Sequence, residues 1–247
     1  MKDFYKTGIS KEILTNLNFL KLFRPTPVQQ QAIKPGCEGK DILAIANTGT
    51  GKTAAFAIPI IERLNKNKSL SAIILTPTRE LAVQIDKHFK DLMGKNIKIK
   101  CAVLIGGDSI KKQIALIKQN PRVIIGTPGR INDHITRKNL NLKHINILVL
   151  DETDRMLDFG FIKQIQKIIN ILPLKKQTLL FTATLTSSLK SISEKFLFNP
   201  VRISVEKKEN ILNNIEHRVS NIKQVEKYEK LLDELHEREG SIIVFMK

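Results

Sequence analysis

Short apolar runs recur along the first 205 residues, near 42–46, 71–76, 98–104, 122–126, 145–151, 177–182 and 201–205, and helix-length segments separate most of them. Runs of this length that are apolar almost throughout read as strands buried on both faces. The stretches between them, such as 51–65, 78–93, 109–118 and 161–172, carry apolar residues at helical spacing. Regular alternation of strand and helix predicts an α/β fold, with a mostly parallel sheet, helices on both faces and right-handed crossovers. Ile13, Leu14, Leu17 and Leu20 predict one more helix ahead of the first strand, ended by Pro25.

Past the last run the pattern changes. Glu206 to Asn214, EKKENILNN, is polar and charged and reads as a linker. It is followed by a strand candidate at 215–219, an amphipathic helix at about 223–239, and the apolar run Ile242 to Phe245, which reads as another buried strand. The expected division is therefore one domain over 1–205, a linker over 206–214 and a short piece over 215–247. A chain of 247 residues with 42% hydrophobic content can bury one full α/β core and leaves little for a second.

Residues Ala46 to Thr53 read A-N-T-G-T-G-K-T, between the apolar run 42–46 and the helix-like segment that Ala54 opens. Strand, glycine-rich turn and helix in that order make a phosphate loop. Gly49 and Gly51 lack a Cβ, so the backbone from Ala46 through Asn47, Thr48, Gly49, Thr50 and Gly51 can curl its N–H groups around phosphate oxygens. The helix that starts near Lys52 directs its partial positive end at the same charge. Lys52 would reach the β- and γ-phosphates, and the Thr53 hydroxyl would ligate Mg²⁺. Ala46 stands where the general pattern has its first glycine. A glycine-rich turn that binds nothing is the bland alternative.

Asp151 to Asp154 read D-E-T-D at the end of the apolar run that finishes at Leu150. A buried parallel strand delivers its last side chains to the carboxyl edge of the sheet, where such folds bind ligands. Asp151 is the candidate Mg²⁺ residue, acting through water because that ion dehydrates reluctantly, and Glu152 is the candidate for orienting or deprotonating an attacking water. A solvated acidic turn is the alternative, and the phosphate loop upstream weighs against it.

Cys37 and Cys101 have no metal-ligand spacing, so neither a disulfide framework nor a zinc site is expected, and a reducing cytoplasm fits. No apolar run approaches the roughly 20 residues of a membrane span, so no membrane association is expected. The net charge of +17 falls on residues 1–205 rather than on the remainder. An excess of that size favours a polyanionic partner through counterion release, while the Lys-, Asn- and Ile-rich composition is also what a biased coding sequence would produce. Arg79 and Arg130 carry more information, because a guanidinium grips phosphate bidentately and lysine cannot replace it.

Taken together, the strings between these landmarks resemble the DEAD-box RNA helicases, and the resemblance runs from Phe4 to Phe245. Members write the phosphate loop A-x-T-G-x-G-K-T, so Ala46 is the residue this likeness implies. Pro25 to Gln29, P-T-P-V-Q, are similar to the family's Q motif, which implies that Gln29 pairs with the edge of adenine and selects ATP. The upstream aromatic lies at Phe4, and the usual Gly-aromatic pair is here Lys21-Leu22, so that Leu22 or Phe23 would replace aromatic stacking by apolar contact. P-T-R-E-L at 77–81, Gly106-Gly107 and T-P-G-R at 127–130 resemble the RNA-facing motifs. The resemblance implies that Pro77, Thr78, Arg79, Gly106, Gly107, Thr127, Pro128, Gly129 and Arg130 hold single-stranded RNA, or a short duplex, by its backbone with little sequence preference. D-E-T-D replaces D-E-A-D, and Thr182 to Thr184, T-A-T, replace S-A-T. The resemblance implies that the Thr182 region, Thr184 included, bonds to Asp154 and couples nucleotide to RNA. D-R-M-L-D-F-G-F at 154–161 is most like bacterial members of the RhlE type.

The resemblance implies ATP and Mg²⁺ as cofactors and a RecA-like first domain followed by the start of a second, acting as a monomer. The arginine-rich string H-R-x-G-R-x-G-R of a second domain is absent, and arginine fingers contribute roughly 10³ to 10⁵ in rate. The chain is accordingly expected to be the N-terminal half, which binds nucleotide and hydrolyses it slowly or not at all. A non-catalytic RNA- and ATP-binding module and a different phosphate-loop ATPase, such as a DNA-directed motor, are the competing readings. The Gln29 match argues against the last.

Overall fold

The expected runs become strands, as the computed structural model shows for the residues it describes, 4–205 and 218–245. Two units separate, Met1–Glu206 and Lys207–Lys247. In the first, the strands are β1 (Ile42–Ala46), β2 (Ala72–Leu75), β3 (Cys101–Leu104), β4 (Val123–Gly126), β5 (Ile147–Leu150), β6 (Gln177–Thr182) and β7 (Val201–Val205). They form one sheet in the order β3-β4-β2-β5-β6-β1-β7, and every pairing is parallel.

Alternate residues of each strand face opposite sides, as a period of two requires. Ile42 and Ala44, Ile74, Val149 and Phe181 pack with the helices α1 (Lys11–Phe19), α2 (Pro27–Cys37), α3 (Lys52–Lys66) and α4 (Arg79–Met93). Leu43, Ile73, Leu75, Leu148, Leu150 and Leu180 enter a second cluster with residues of α6 (Pro128–Thr136), α7 (Thr153–Asp158), α8 (Ile162–Ile169) and α9 (Ser187–Phe196). The remaining helix of this unit, α5 (Ile110–Lys118), buries a single residue, Gln113.

Because all strands run the same way, every loop that leaves a strand's carboxyl end emerges on one rim. The sheet order then sorts those loops. The segments after β3, β4 and β2 are neighbours, and so are those after β5, β6 and β1. With strands about 4.8 Å apart, the turns after β1 and β5 leave the sheet about 10 Å apart, with the turn after β6 between them.

The differences from expectation have local causes. The run at 98–104 shortens to Cys101–Leu104, because β3 is an edge strand whose neighbour β4 offers only four partners. The helix expected at about 223–239 is α10 (Lys227–Glu237), preceded by a single 3₁₀ turn at Gln224–Glu226. Ile242–Phe245 does not form a strand and is exposed, because an apolar run becomes a strand only where a neighbouring strand completes its hydrogen bonds, and none does among the described residues of that unit. The expected strand at 215–219 is irregular at 218–219. Its first three residues and the linker at 206–214 lie outside the described residues.

Candidate functional site

At the rim, the phosphate loop turns through Gly49 (φ +77°) and Gly51 (φ +90°), left-handed positions that suit glycine. The loop closes on itself, with the Thr50 hydroxyl donating to the Asn47 carbonyl at 2.7 Å. The start of α2 is fastened to it. Gln29 Nε2 donates to the Gly51 carbonyl at 3.0 Å, while Gln29 Oε1 accepts from the Thr26 backbone N–H at 3.0 Å and caps α2. A Cβ at Gly51 would collide with the Gln29 amide. One Nε2 hydrogen and one Oε1 lone pair of Gln29 are left for another partner.

Gln29, Leu22, Thr48, Gly49, Gly51, Lys52, Thr53, Asp151 and Glu152 line one cleft of about 570 Å³. Lys52 and Asp151 thus share a cavity, although they lie on turns from strands that are not adjacent. Ala46, Asn47 and Thr50 do not line it: Ala46 is buried at the end of β1, and Thr50 and Asn47 brace the loop from outside. Phe4 is in the hydrophobic core rather than in the cleft, and Phe23 is exposed outside it. Lys21 holds φ +58°, so the backbone keeps a glycine-like bend where glycine was expected.

The electrostatics of the cleft are asymmetric. Burial pushes the Asp151 carboxyl up to about 6; Lys52 opposes this and Glu152 adds to it. The Lys52 ammonium is buried with no hydrogen-bond partner among the described residues. Glu152 occupies a left-handed backbone position (φ +49°) and its carboxylate accepts from Arg155 at 2.9 Å. A buried unpartnered ammonium, a buried carboxylate and the Thr53 hydroxyl in one cavity fit a phosphate chain carrying a hard divalent ion.

Beside the acids, Asp154 Oδ2 accepts from the Ala183 and Thr184 backbone N–H groups at 3.0 Å each and from the Thr184 hydroxyl at 3.2 Å. Burial alone would raise this carboxyl, but the N–H groups of Arg155, Thr184 and Ala183 and the Thr184 hydroxyl hold it below the usual range. The Thr182 hydroxyl donates to the Thr184 carbonyl at 2.8 Å instead of reaching Asp154. Thr182 therefore shapes the turn, and the bonds to the acid come from its two successors.

A second cavity, about 580 Å³, lies along the other half of the rim and is lined by Pro77, Thr78, Arg79, Gly106, Thr127, Gly129 and Arg130, each from a segment following β2, β3 or β4. Gly107 and Pro128 do not line it. Gly107 instead makes room for an arginine, since a Cβ there would collide with Arg79 Nη1. Pro128 begins α6 and is buried. The two arginines are held differently: Arg130 donates to the Asp108 carbonyl at 3.0 Å and to Gln113 Oε1 at 3.1 Å, whereas Arg79 has no hydrogen-bond partner among the described residues.

Several lining residues carry no signal of their own in the sequence. Leu81, Gln84, His88 and Asp91 extend the first cleft along one stripe of α4, and nothing in a helical repeat says that such a stripe borders a cavity. Glu80, Asp133, Phe161 and Gln164 complete the second. Phe161 and Gln164 are brought in by the bend at Gly160 (φ +73°), and the F-G-F spelling was the available hint.

A family model described as DEAD/DEAH box helicase matches residues 26–192. The chain belongs to this family. As a DEAD/DEAH box protein it is 39% identical over 237 residues to the DEAD-box ATP-dependent RNA helicase CshA of Geobacillus kaustophilus (strain HTA426), which covers 94% of this chain and 50% of that relative. It is 40% identical over 233 residues to the ATP-dependent RNA helicase CshA of Listeria monocytogenes serovar 1/2a, with 94% and 44% covered. The crystal structure of a DEAD box protein from the hyperthermophile Methanococcus jannaschii superposes with a TM-score of 0.80 at 39% identity, covering 95% of this chain and 63% of that one. The chain spans about half the length of the curated relatives it matches. The RecA-like arrangement of the DEAD-box fold is thereby shown for its parallel sheet.

Proposed function

We propose that this chain binds ATP with Mg²⁺ in the first cleft and the backbone of single-stranded RNA in the second, as part of an ATP-dependent RNA helicase. The observation that carries the reading is the sorting of the rim: one cavity gathers the phosphate loop after β1 and the acids after β5, the other gathers segments after β2, β3 and β4, and Asp154 is bonded to Thr184 beside the acids.

In this reading Gln29 uses its spare donor and acceptor on the adenine edge, and Leu22 supplies an apolar surface beside the base. The loop amides and Lys52 hold the phosphates, with the ammonium balancing charge that grows on them as the terminal bond breaks. Thr53 and Asp151 would hold Mg²⁺, which supplies charge neutralisation on the phosphate oxygens when bound. Glu152 orients a water in line with the terminal phosphorus and takes its proton, giving ADP and inorganic phosphate. Across the rim, Arg79 and Arg130 pair with successive phosphates, and the helix starts at Thr78 and Thr127 add backbone N–H groups. Base edges are not addressed, so sequence preference is low. A cytoplasmic monomer is the setting we assign.

The test is binding of a fluorescent ATP analogue and of a labelled oligouridylate to the same preparation. Lys52→Ala should abolish the first and leave the second within about threefold, and Arg130→Ala should do the reverse. Loss of both signals with either substitution would sink the division into two sites.

A further inference from the structure

Gln113 is the one buried residue of α5, and it is polar. Its Nε2 donates to the Ile105 carbonyl at 2.8 Å, immediately before Gly106. Its Oε1 lies 3.1 Å from Arg130 Nη1 and 2.9 Å from His134 Nε2. The guanidinium can only donate, so Oε1 is the acceptor, and the contact to the Ile105 carbonyl fixes which end of the amide is nitrogen. Oε1 thus takes two N–H groups, which uses both its lone pairs. His134 is fully buried, and its Nδ1 has no partner among the described residues. A proton there would be a buried, unsatisfied donor on a charged ring, so burial favours the neutral imidazole with its hydrogen on Nε2.

We propose that Gln113 is a positioning residue for Arg130, with neutral His134 holding its amide in place from behind. The inference rests on the second cavity being the RNA surface. The arrangement explains why Arg130 is held while Arg79 is free. Arg130 has three nearby acceptors, the Asp108 carbonyl, Gln113 Oε1 and, at 3.9 Å, the Asp133 carboxylate. That carboxylate is engaged at 2.6 Å by Arg137, and the hydrogen bonds that orient Arg130 go to the two neutral oxygens, so ordering costs are met before RNA arrives. Gln113 also joins the segment after β3 to the helix after β4, so the Gly106 turn and Arg130 keep a fixed separation.

The experiment is a double-mutant cycle on RNA affinity, read by fluorescence anisotropy with fluorescein-labelled decauridylate at low salt, on the chain and its Gln113→Met, Arg130→Ala and combined variants. Gln113→Met should weaken binding about tenfold, the loss of one hydrogen bond to a charged group, and leave fluorescent ATP-analogue affinity unchanged. In the Arg130→Ala background it should change RNA affinity by less than about twofold. An equal loss in both backgrounds, or no loss in the first, overturns the proposal. If the unaltered chain fails to bind decauridylate, or Arg130→Ala binds as well as it does, the RNA reading of the cavity falls and the inference with it. A second measurement needs no variant: ¹⁵N shifts of the His134 ring at pH 7 should report the neutral Nε2–H tautomer, and an Nδ1–H tautomer would contradict the network.

Discussion

Asp154 and Thr184, thirty residues apart, meet through two hydrogen bonds, from the Thr184 amide at 3.0 Å and its hydroxyl at 3.2 Å. The acid turn after β5 is thus bonded to the turn after β6, which the sheet order sets between the acids and the phosphate loop. Asp154→Ala removes the acceptor. Its expected cost is about 1–2 kcal/mol of stability, lowering the melting temperature by about 2–8 °C. If the bond carries coupling, the variant keeps ATP-analogue affinity within about threefold but loses the effect of nucleotide on RNA affinity. Preserved coupling would show that the bond only braces the turn.

Gly51 is expected to tolerate no side chain. A Cβ would meet the Gln29 amide, and φ +90° lies where L-residues are strained by about 1–2 kcal/mol. Gly51→Ala should weaken ATP-analogue binding at least about tenfold, since the loop must shift to relieve the clash. An unchanged dissociation constant in a fluorescence titration would refute it.

The Asp151 carboxyl, pushed up to about 6 by burial, predicts a pH dependence for metal binding. A proton on the carboxylate competes with Mg²⁺, so Mg²⁺-dependent nucleotide affinity should fall about tenfold per unit below pH 6 and be flat above about pH 7. The stability linkage runs the other way. Because the folded value is raised, the contribution of this group is fully present below about pH 4 and is lost as pH rises through about 6, amounting to about 3 kcal/mol in the ligand-free protein. Calorimetry across about pH 4 to 8 with and without Mg²⁺ and nucleotide measures both. An affinity independent of pH over that range would remove Asp151 from the metal site.

Gly107→Ala should displace Arg79, because the added methyl would collide with its guanidinium and φ is +86°. RNA affinity is expected to drop about three- to tenfold in an anisotropy titration, comparable to losing one charged contact. ATP-analogue binding should stay where it was.

Lys21 is the reverse case. It holds φ +58° at a bend where a glycine would be unstrained, so Lys21→Gly should stabilise the chain by about 0.5–1 kcal/mol once the extra freedom of the unfolded glycine is subtracted. Thermal melts settle the sign.

The central strands were legible because a strand buried on both faces is mostly apolar, and β1 and β6 fall where their runs lie, residue for residue. The edge strand β7 showed instead by its alternation of Val201, Ile203 and Val205 with exposed Arg202 and Ser204. The loops stood out because glycine, lysine and arginine recur there in strings that resemble family motifs, and most of those residues line the two cavities. Ile242–Phe245 misled for the same reason that β1 did not: apolarity says that a segment seeks a partner, and only the fold supplies one. The region of Thr182 does meet Asp154, and the donors within it are the next two residues, Ala183 and Thr184. Gln113 was invisible, since a glutamine within a lysine-rich helix resembles its solvated neighbours until the Arg130 and His134 side chains arrive from α6.

Parallel strands send the loops that line both cavities to one rim, and the opposite ends of the strands form the other. There Arg122 fastens the carbonyls of Leu64, Asn67 and Leu70, and the turns at Asn120–Pro121 and Asn139–His144 lead into β4 and β5, the strands on either side of β2. A fluorophore or affinity tag grafted into the latter turn would report on the protein from a full strand's length away from both cavities.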